Sequence, residues 1–151
     1  MVNKIFTLIL GVILPGVISF AQDNTSADNI IGTYNAIHQG EESKVRITRE
    51  NGGTFMAQII WVKNRTDENG NVRLDEKNPD KSLRHVPCDE IVIFTGLKYN
   101  PDKKQWDGTK IYDPTRGIRA NLVCRFEDEG VLRVKGSLLG FSQSFYWKKT
   151  E

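Results

Sequence analysis

Residues able to do chemistry are few in this sequence, and their spacing is poor for catalysis. His38 and His85 are its two histidines, and neither stands in a motif with a nucleophile or at a metal-ligand spacing. Asp67, Asn69 and Asn71 begin like a calcium loop. Val72 then occupies the place of the required glycine, and Asn78 rather than a glutamate falls at the closing position. The acidic runs Asp89-Glu90 and Glu127-Asp128-Glu129 point in alternate directions or sit in turn-like stretches, which suits solvated charge better than acid/base work. No glycine-rich phosphate cradle is present, and Gly108, Gly136 and Gly140 read as bends in strands. The expectation is therefore a non-enzyme with no metal and no cofactor.

Binding chemistry is better represented. Trp61, Trp106 and Trp147 are large amphipathic side chains on three separate strand-like runs. They either pack a core or line a cavity as a stacking surface for a sugar or aromatic ligand. The polar stretch 64–86 carries two turn signals, Asn69-Gly70 and Asn78-Pro79. Within it Asp75 can accept from backbone amides, and Arg84 is a suitable bidentate partner for Asp75. Two readings stand for this stretch. Asp75, Asn78 and Arg84 staple the loop to the rest of the protein, or the loop is a flap that turns Arg84 or His85 toward a polar or anionic ligand. In "YDPTRG", Asp113-Pro114 starts a type I turn and Gly117 ends it, with Tyr112 and Arg116 as the ligand-contacting alternative.

The elements that must position these residues are short strands. Apolar or alternating runs at 30–37, 44–50, 54–63, 90–99, 105–112, 118–126, 131–138 and the closing "FYWKK" are separated by turn signals, with no convincing helical period. Eight sequential strands joined mostly by short loops predict an all-β fold, an antiparallel meander barrel, because closure removes exposed strand edges. A flattened sandwich is the alternative. On 118–126, Ala120, Leu122, Cys124 and Phe126 share one parity and Arg119, Asn121 and Arg125 the other, so Cys124 is expected inside. An eight-stranded barrel either fills with side chains or holds one small ligand.

Residues 1–21 read as a secretory signal. Lys4 supplies the positive end, Ile5 to Ile18 the apolar core, and Ser19-Phe20-Ala21 a cleavage pattern. Pro15 and Gly16 interrupt that core, which falls short of the ~20 apolar residues of a membrane span. Residues 22–29, small and polar, are expected to form a flexible leader, leaving 30–151 as one domain in the periplasm or outside the cell. In an oxidising compartment Cys88 and Cys124 either form a disulfide or stand as two separate buried thiols. With 21 basic against 19 acidic residues, the chain has no electrostatic footprint for nucleic acid. No second apolar run is long enough to cross a membrane.

Read together, "IIWVKN", "DENGNVRLDEKNPDKSLR", "IVIFTGLK", "WDGTKIYDPTRG", "LRVKG" and "FYWKK" resemble the secreted bacterial family known as domain of unknown function 2147, from Gly32 to Lys148. The match falls on Trp61, Asp75, Asn78, Pro79, Arg84, Trp106, Tyr112, Asp113, Pro114, Gly117 and Trp147, among others. Tyr34, Thr109 and Cys88-Asp89-Glu90 depart from the family's pattern. The resemblance implies a lipocalin-like small barrel of exported proteins and brings no established activity with it. Two functions remain open: a barrel binding a small apolar or amphipathic ligand, or a protein-interaction or inhibitor module that acts through loop 64–86 over a solid core.

Overall fold

The computed structural model describes residues 23–151; the expected signal segment and Gln22 lie outside them. Eight antiparallel strands follow one another around a closed barrel, each paired with its sequence neighbour and β8 returning to β1. They are β1 (Gly32–His38), β2 (Glu41–Arg49), β3 (Phe55–Val62), β4 (Val92–Asn100), β5 (Gln105–Asp113), β6 (Ile118–Asp128), β7 (Val131–Leu138) and β8 (Phe141–Lys149). Each expected run contains its strand within a few residues. β8 begins four residues before the expected closing run, and β2 begins three before its own, because Gln39-Gly40, both at positive φ, make a two-residue hairpin in place of the longer turn.

Side-chain size divides the interior into two halves. At the end reached by the start of β1, β3, β5 and β7, Tyr34, Phe55, Trp106 and Leu132 are fully buried. Phe126 meets Trp106 edge-on at 5.8 Å. Burying each such side chain contributes roughly 1.5–3 kcal/mol. At the opposite end three inward positions are small: Ala36, Ala120 and Gly136. A Cβ on Gly136 would already lie 3.4 Å from the Ala120 methyl group. The expected inward parity of β6 holds, with Leu122, Cys124 and Phe126 all 3% exposed or less.

The packed end is closed by a segment expected to be mobile. Residues 23–30 instead form short turns, including a 3-10 helix (Ala27–Ile30), that lie across the barrel. Asn24 is buried, donates from Nδ2 to the Phe126 carbonyl and accepts the Phe126 N–H, each at 2.8 Å. The register of β6 on β7 slips just beyond Phe126, so a side-chain amide completes the pairing there. Tyr99 donates to the Asn24 carbonyl, the Trp106 indole to that of Ala27, and Tyr34 to that of Ile30. The flexible leader is thus corrected to a plug over its described part.

Two bulges decide which residues face in. Along β3, Phe55, Ala57 and Ile59 are buried in strict alternation, which would carry Trp61 inward. The register slips between Lys44 and Val45, so Val62 is buried and Trp61 is 43% exposed. On β5 the slip falls between Trp106 and Thr109, around Gly108 at φ +85°. Beyond it Ile111 pairs with the inward Ala120 and Tyr112 with the outward Arg119. Gly108 is therefore a bend, as expected. Gly140 is not, since it is the second residue of the β7–β8 turn, and Gly136 serves by being small.

Candidate functional site

The half-empty end of the barrel holds a cavity of about 640 Å³, within the roughly 300–1,000 Å³ of small-molecule sites. Its walls are apolar: Val45, Ile59, Ile93, Ile111 and Val134 surround the small residues Ala36, Ala120 and Gly136. Trp147 forms part of the floor, with the Tyr34 ring 6.3 Å beyond it. The mouth opens between the β1–β2, β5–β6 and β7–β8 turns. Ile37 (63%), Leu139 (89%) and Phe141 (82%) are strongly exposed there, so the apolar lining runs out onto the rim.

Charge is confined to the mouth and is paired. Arg73 reaches Glu41 with both terminal nitrogens and also the Asn64 carbonyl. Arg116 donates from Nε to Asp113 Oδ2 at 2.7 Å and from Nη2 to Gln143 Oε1 at 3.0 Å. Asp113 also accepts at Oδ1 from the Thr115 hydroxyl and backbone N–H. Burial opposes ionisation of Asp113, but hydrogen bonds from His38, Thr115 and Arg116 outweigh it and hold the carboxyl well below the usual carboxylate range.

His38, Asp113 and Thr115 have the composition of a catalytic triad without its geometry. Nε2 of His38 meets both partners, Thr115 Oγ1 at 3.1 Å and Asp113 Oδ2 at 3.4 Å. A relay needs the nucleophile on one ring nitrogen and the orienting acid on the other. The hydroxyl of Thr115 moreover donates to Asp113. The cluster ties the β5–β6 turn to β1, and Phe145 packs against the imidazole at 5.0 Å.

Loop 64–86 is ordered by its own polar groups. Asp67 accepts from the backbone N–H of Asn69 and Asn71 and closes a small hairpin with Thr66 bridged to Val72. Asp75, buried, accepts from the Tyr112 hydroxyl at 2.6 Å and from Asn78 Nδ2 at 2.7 Å. Asn78 Oδ1 accepts the Asp80 N–H across exposed Pro79, and Asp80 caps the short 3-10 helix (Lys81–Leu83). The expected Asp75–Arg84 pair does not form. Arg84 instead donates to the Asn78 carbonyl at 2.8 Å, and Tyr112 has taken its place on Asp75. Lys77 donates to the Thr115 carbonyl. The loop lies so close to the β5–β6 turn that a Cβ on Gly117, at φ +68°, would stand 2.4 Å from the Lys77 carbonyl oxygen. Only glycine fits there.

Of the expected ligand contacts, Trp147 lies at the cavity. Trp106 is buried at the packed end, bonded to Ala27, and Trp61 faces outward with the Lys44 amine 6.0 Å from its ring. Tyr112 borders the wall, but its hydroxyl is engaged by Asp75 on the outer face, where burial and that bond push its pKa up. Arg84 and His85 are exposed and lie away from the mouth. Asp113 and Pro114 do reach the rim. Loop 64–86 contributes Arg73 and Leu74 to the cavity, and the adjoining segment adds Cys88. Bracing and closure therefore come from different parts of one connection. Cys88 and Cys124 are both buried and unbonded to each other, and burial raises both thiol pKa values. No group of acids, histidines and cysteines that could hold a metal occurs among the described residues. No helix there is long and apolar enough to cross a membrane.

What the sequence did not reveal is the part Ala36, Ala120 and Gly136 play in the cavity, for which the signal is their lack of bulk at inward positions of three strands. Also missed was Glu41, which falls between the expected runs 30–37 and 44–50.

Among solved structures the barrel is similar to protein HP1028 from the human pathogen Helicobacter pylori, described as belonging to the lipocalin family. The TM-score is 0.65 at 23% identity, over 81% of this chain and 83% of that one. No curated protein matches. The family model for an uncharacterized protein conserved in bacteria, DUF2147, matches residues 32–149, which span all eight strands, the long loop and the cavity, and the chain belongs to that family.

Proposed function

We propose that this protein is exported and non-enzymatic, and that it binds a small apolar or amphipathic molecule inside the barrel. The observation that carries this reading is the cavity of about 640 Å³, apolar in its depth and open at a rim that is itself partly apolar. A protein-interaction module over a solid core has less support, because this core is not solid. The signal-like pattern of the first 21 residues supports export to the periplasm or beyond. The lipocalin description of the similar barrel agrees with small-ligand binding.

The test uses a neutral, environment-sensitive probe, N-phenyl-1-naphthylamine, with native mass spectrometry of the protein as purified to look for a retained small molecule. Saturable probe enhancement is expected in the wild type. Gly136→Leu and Ala36→Phe fill the cavity from two walls and should weaken binding at least tenfold, with circular dichroism unchanged. Equal binding by both folded variants would refute the reading.

A further inference from the structure

We infer that the cavity selects amphiphiles with an uncharged, hydrogen-bonding head over those with a carboxylate or ammonium head; this rests on the ligand-binding reading above. The four charged side chains at the mouth form two pairs, Glu41 with Arg73 and Asp113 with Arg116, so their formal charges cancel. Both guanidinium groups are engaged. Arg73 holds both carboxylate oxygens of Glu41 and the Asn64 carbonyl, and Arg116 holds Asp113 and Gln143. An anionic head that recruits either arginine must lie beside the carboxylate already paired with it. A cationic head faces the converse problem, because each carboxylate already has its cation. Hydroxyl and amide heads meet neither penalty. Gln143 gives its oxygen to Arg116, which leaves its amide nitrogen to donate at the rim. Below the mouth the walls are aliphatic, so an alkyl chain can run down past Ala36 and Gly136 toward Trp147.

The experiment displaces N-phenyl-1-naphthylamine with three ligands of equal chain length, dodecanol, dodecanoate and dodecyltrimethylammonium, each below its micelle concentration. Dodecanol is expected to displace the probe at one tenth or less of the concentration the other two require. Ionised heads also disfavour any apolar site in general, so the decisive comparison is Glu41→Gln, which releases Arg73 from its carboxylate. That variant should raise the affinity for dodecanoate relative to dodecanol at least tenfold over the wild-type ratio.

A wild type that takes dodecanoate or the ammonium ligand as readily as dodecanol would overturn the inference and leave the cavity reading standing. So would a folded Glu41→Gln that gains nothing for dodecanoate relative to dodecanol. Failure of the probe and all three ligands to bind would remove the cavity reading and this inference with it. The wild-type ratio needs no variant, so misfolding of Glu41→Gln would still leave a result able to overturn the inference.

Discussion

Replacing Asp75 with asparagine tests what holds the long loop to the barrel. Asp75 is 3% exposed and accepts from two buried donors, the Tyr112 hydroxyl at 2.6 Å and Asn78 Nδ2 at 2.7 Å. An asparagine oxygen can keep Tyr112, but its amide nitrogen then faces the nitrogen of Asn78. That residue cannot simply flip, because its oxygen holds the Asp80 N–H at 2.9 Å. The substitution therefore weakens one bond, loses the other and opposes two donors. With hydrogen bonds to charged groups contributing about 1.5–3 kcal/mol, the loss should be about 2–4 kcal/mol. Tyr112→Phe removes one donor and keeps the ring, and should cost about 1.5–3 kcal/mol on the same scale. The double variant should lose less than the sum, because the two changes share a bond. Arg84→Ala, by contrast, gives up one bond from an exposed side chain to the Asn78 carbonyl, for about 0.5–1 kcal/mol. Urea denaturation followed by tryptophan fluorescence measures all four. Losses under about 0.5 kcal/mol for both Asp75→Asn and Tyr112→Phe would refute the tether, because buried bonds of this kind exceed that value. A loss for Arg84→Ala equal to that for Asp75→Asn would instead revive a direct Asp75–Arg84 pair.

Two further outcomes follow from the ends of the barrel. Asn24→Ala strips both side-chain bonds from the Phe126 backbone and should destabilise the protein by about 2–4 kcal/mol while probe affinity changes less than twofold; unchanged stability in urea would show that the plug does not hold this end. Asp113 has a folded pKa depressed below its unfolded value of about 3.9, so its stabilisation is present above that pH and is lost as pH falls through the lower folded value. The stability gap between wild type and Asp113→Asn should accordingly shrink as pH drops below about 4. A gap that widens below about pH 4 would contradict the assignment.

Strand number, order and sense were legible because each depends on local signals. Alternating runs separated by Asn-Gly, Asp-Pro and glycine turns leave few topologies for a chain of this length. The inward set on β6, Cys124 included, followed from parity alone over an uninterrupted strand. The order in loop 64–86 was visible in Asn69-Gly70 and Asn78-Pro79. The partner of Asp75 was not, since Tyr112 lies 37 residues further on.

Tertiary structure decided the rest. A bulge is one extra residue that only the neighbouring strand reveals, and each one reverses the facing of everything beyond it. This is why Trp61 and Tyr112 turn away from an interior that alternation alone would give them. The plug escaped notice for a similar reason, because a polar segment looks mobile until its amide meets a strand 102 residues away. The cavity is the furthest from local pattern. Ala36, Ala120 and Gly136 are unremarkable singly, and they make a space only because closure of the barrel brings them to the wall of one cavity that reaches down to Trp147. Sequence alone determined a meander of eight antiparallel strands; their closure and the meeting of side chains across it determined that one end of the interior stays open.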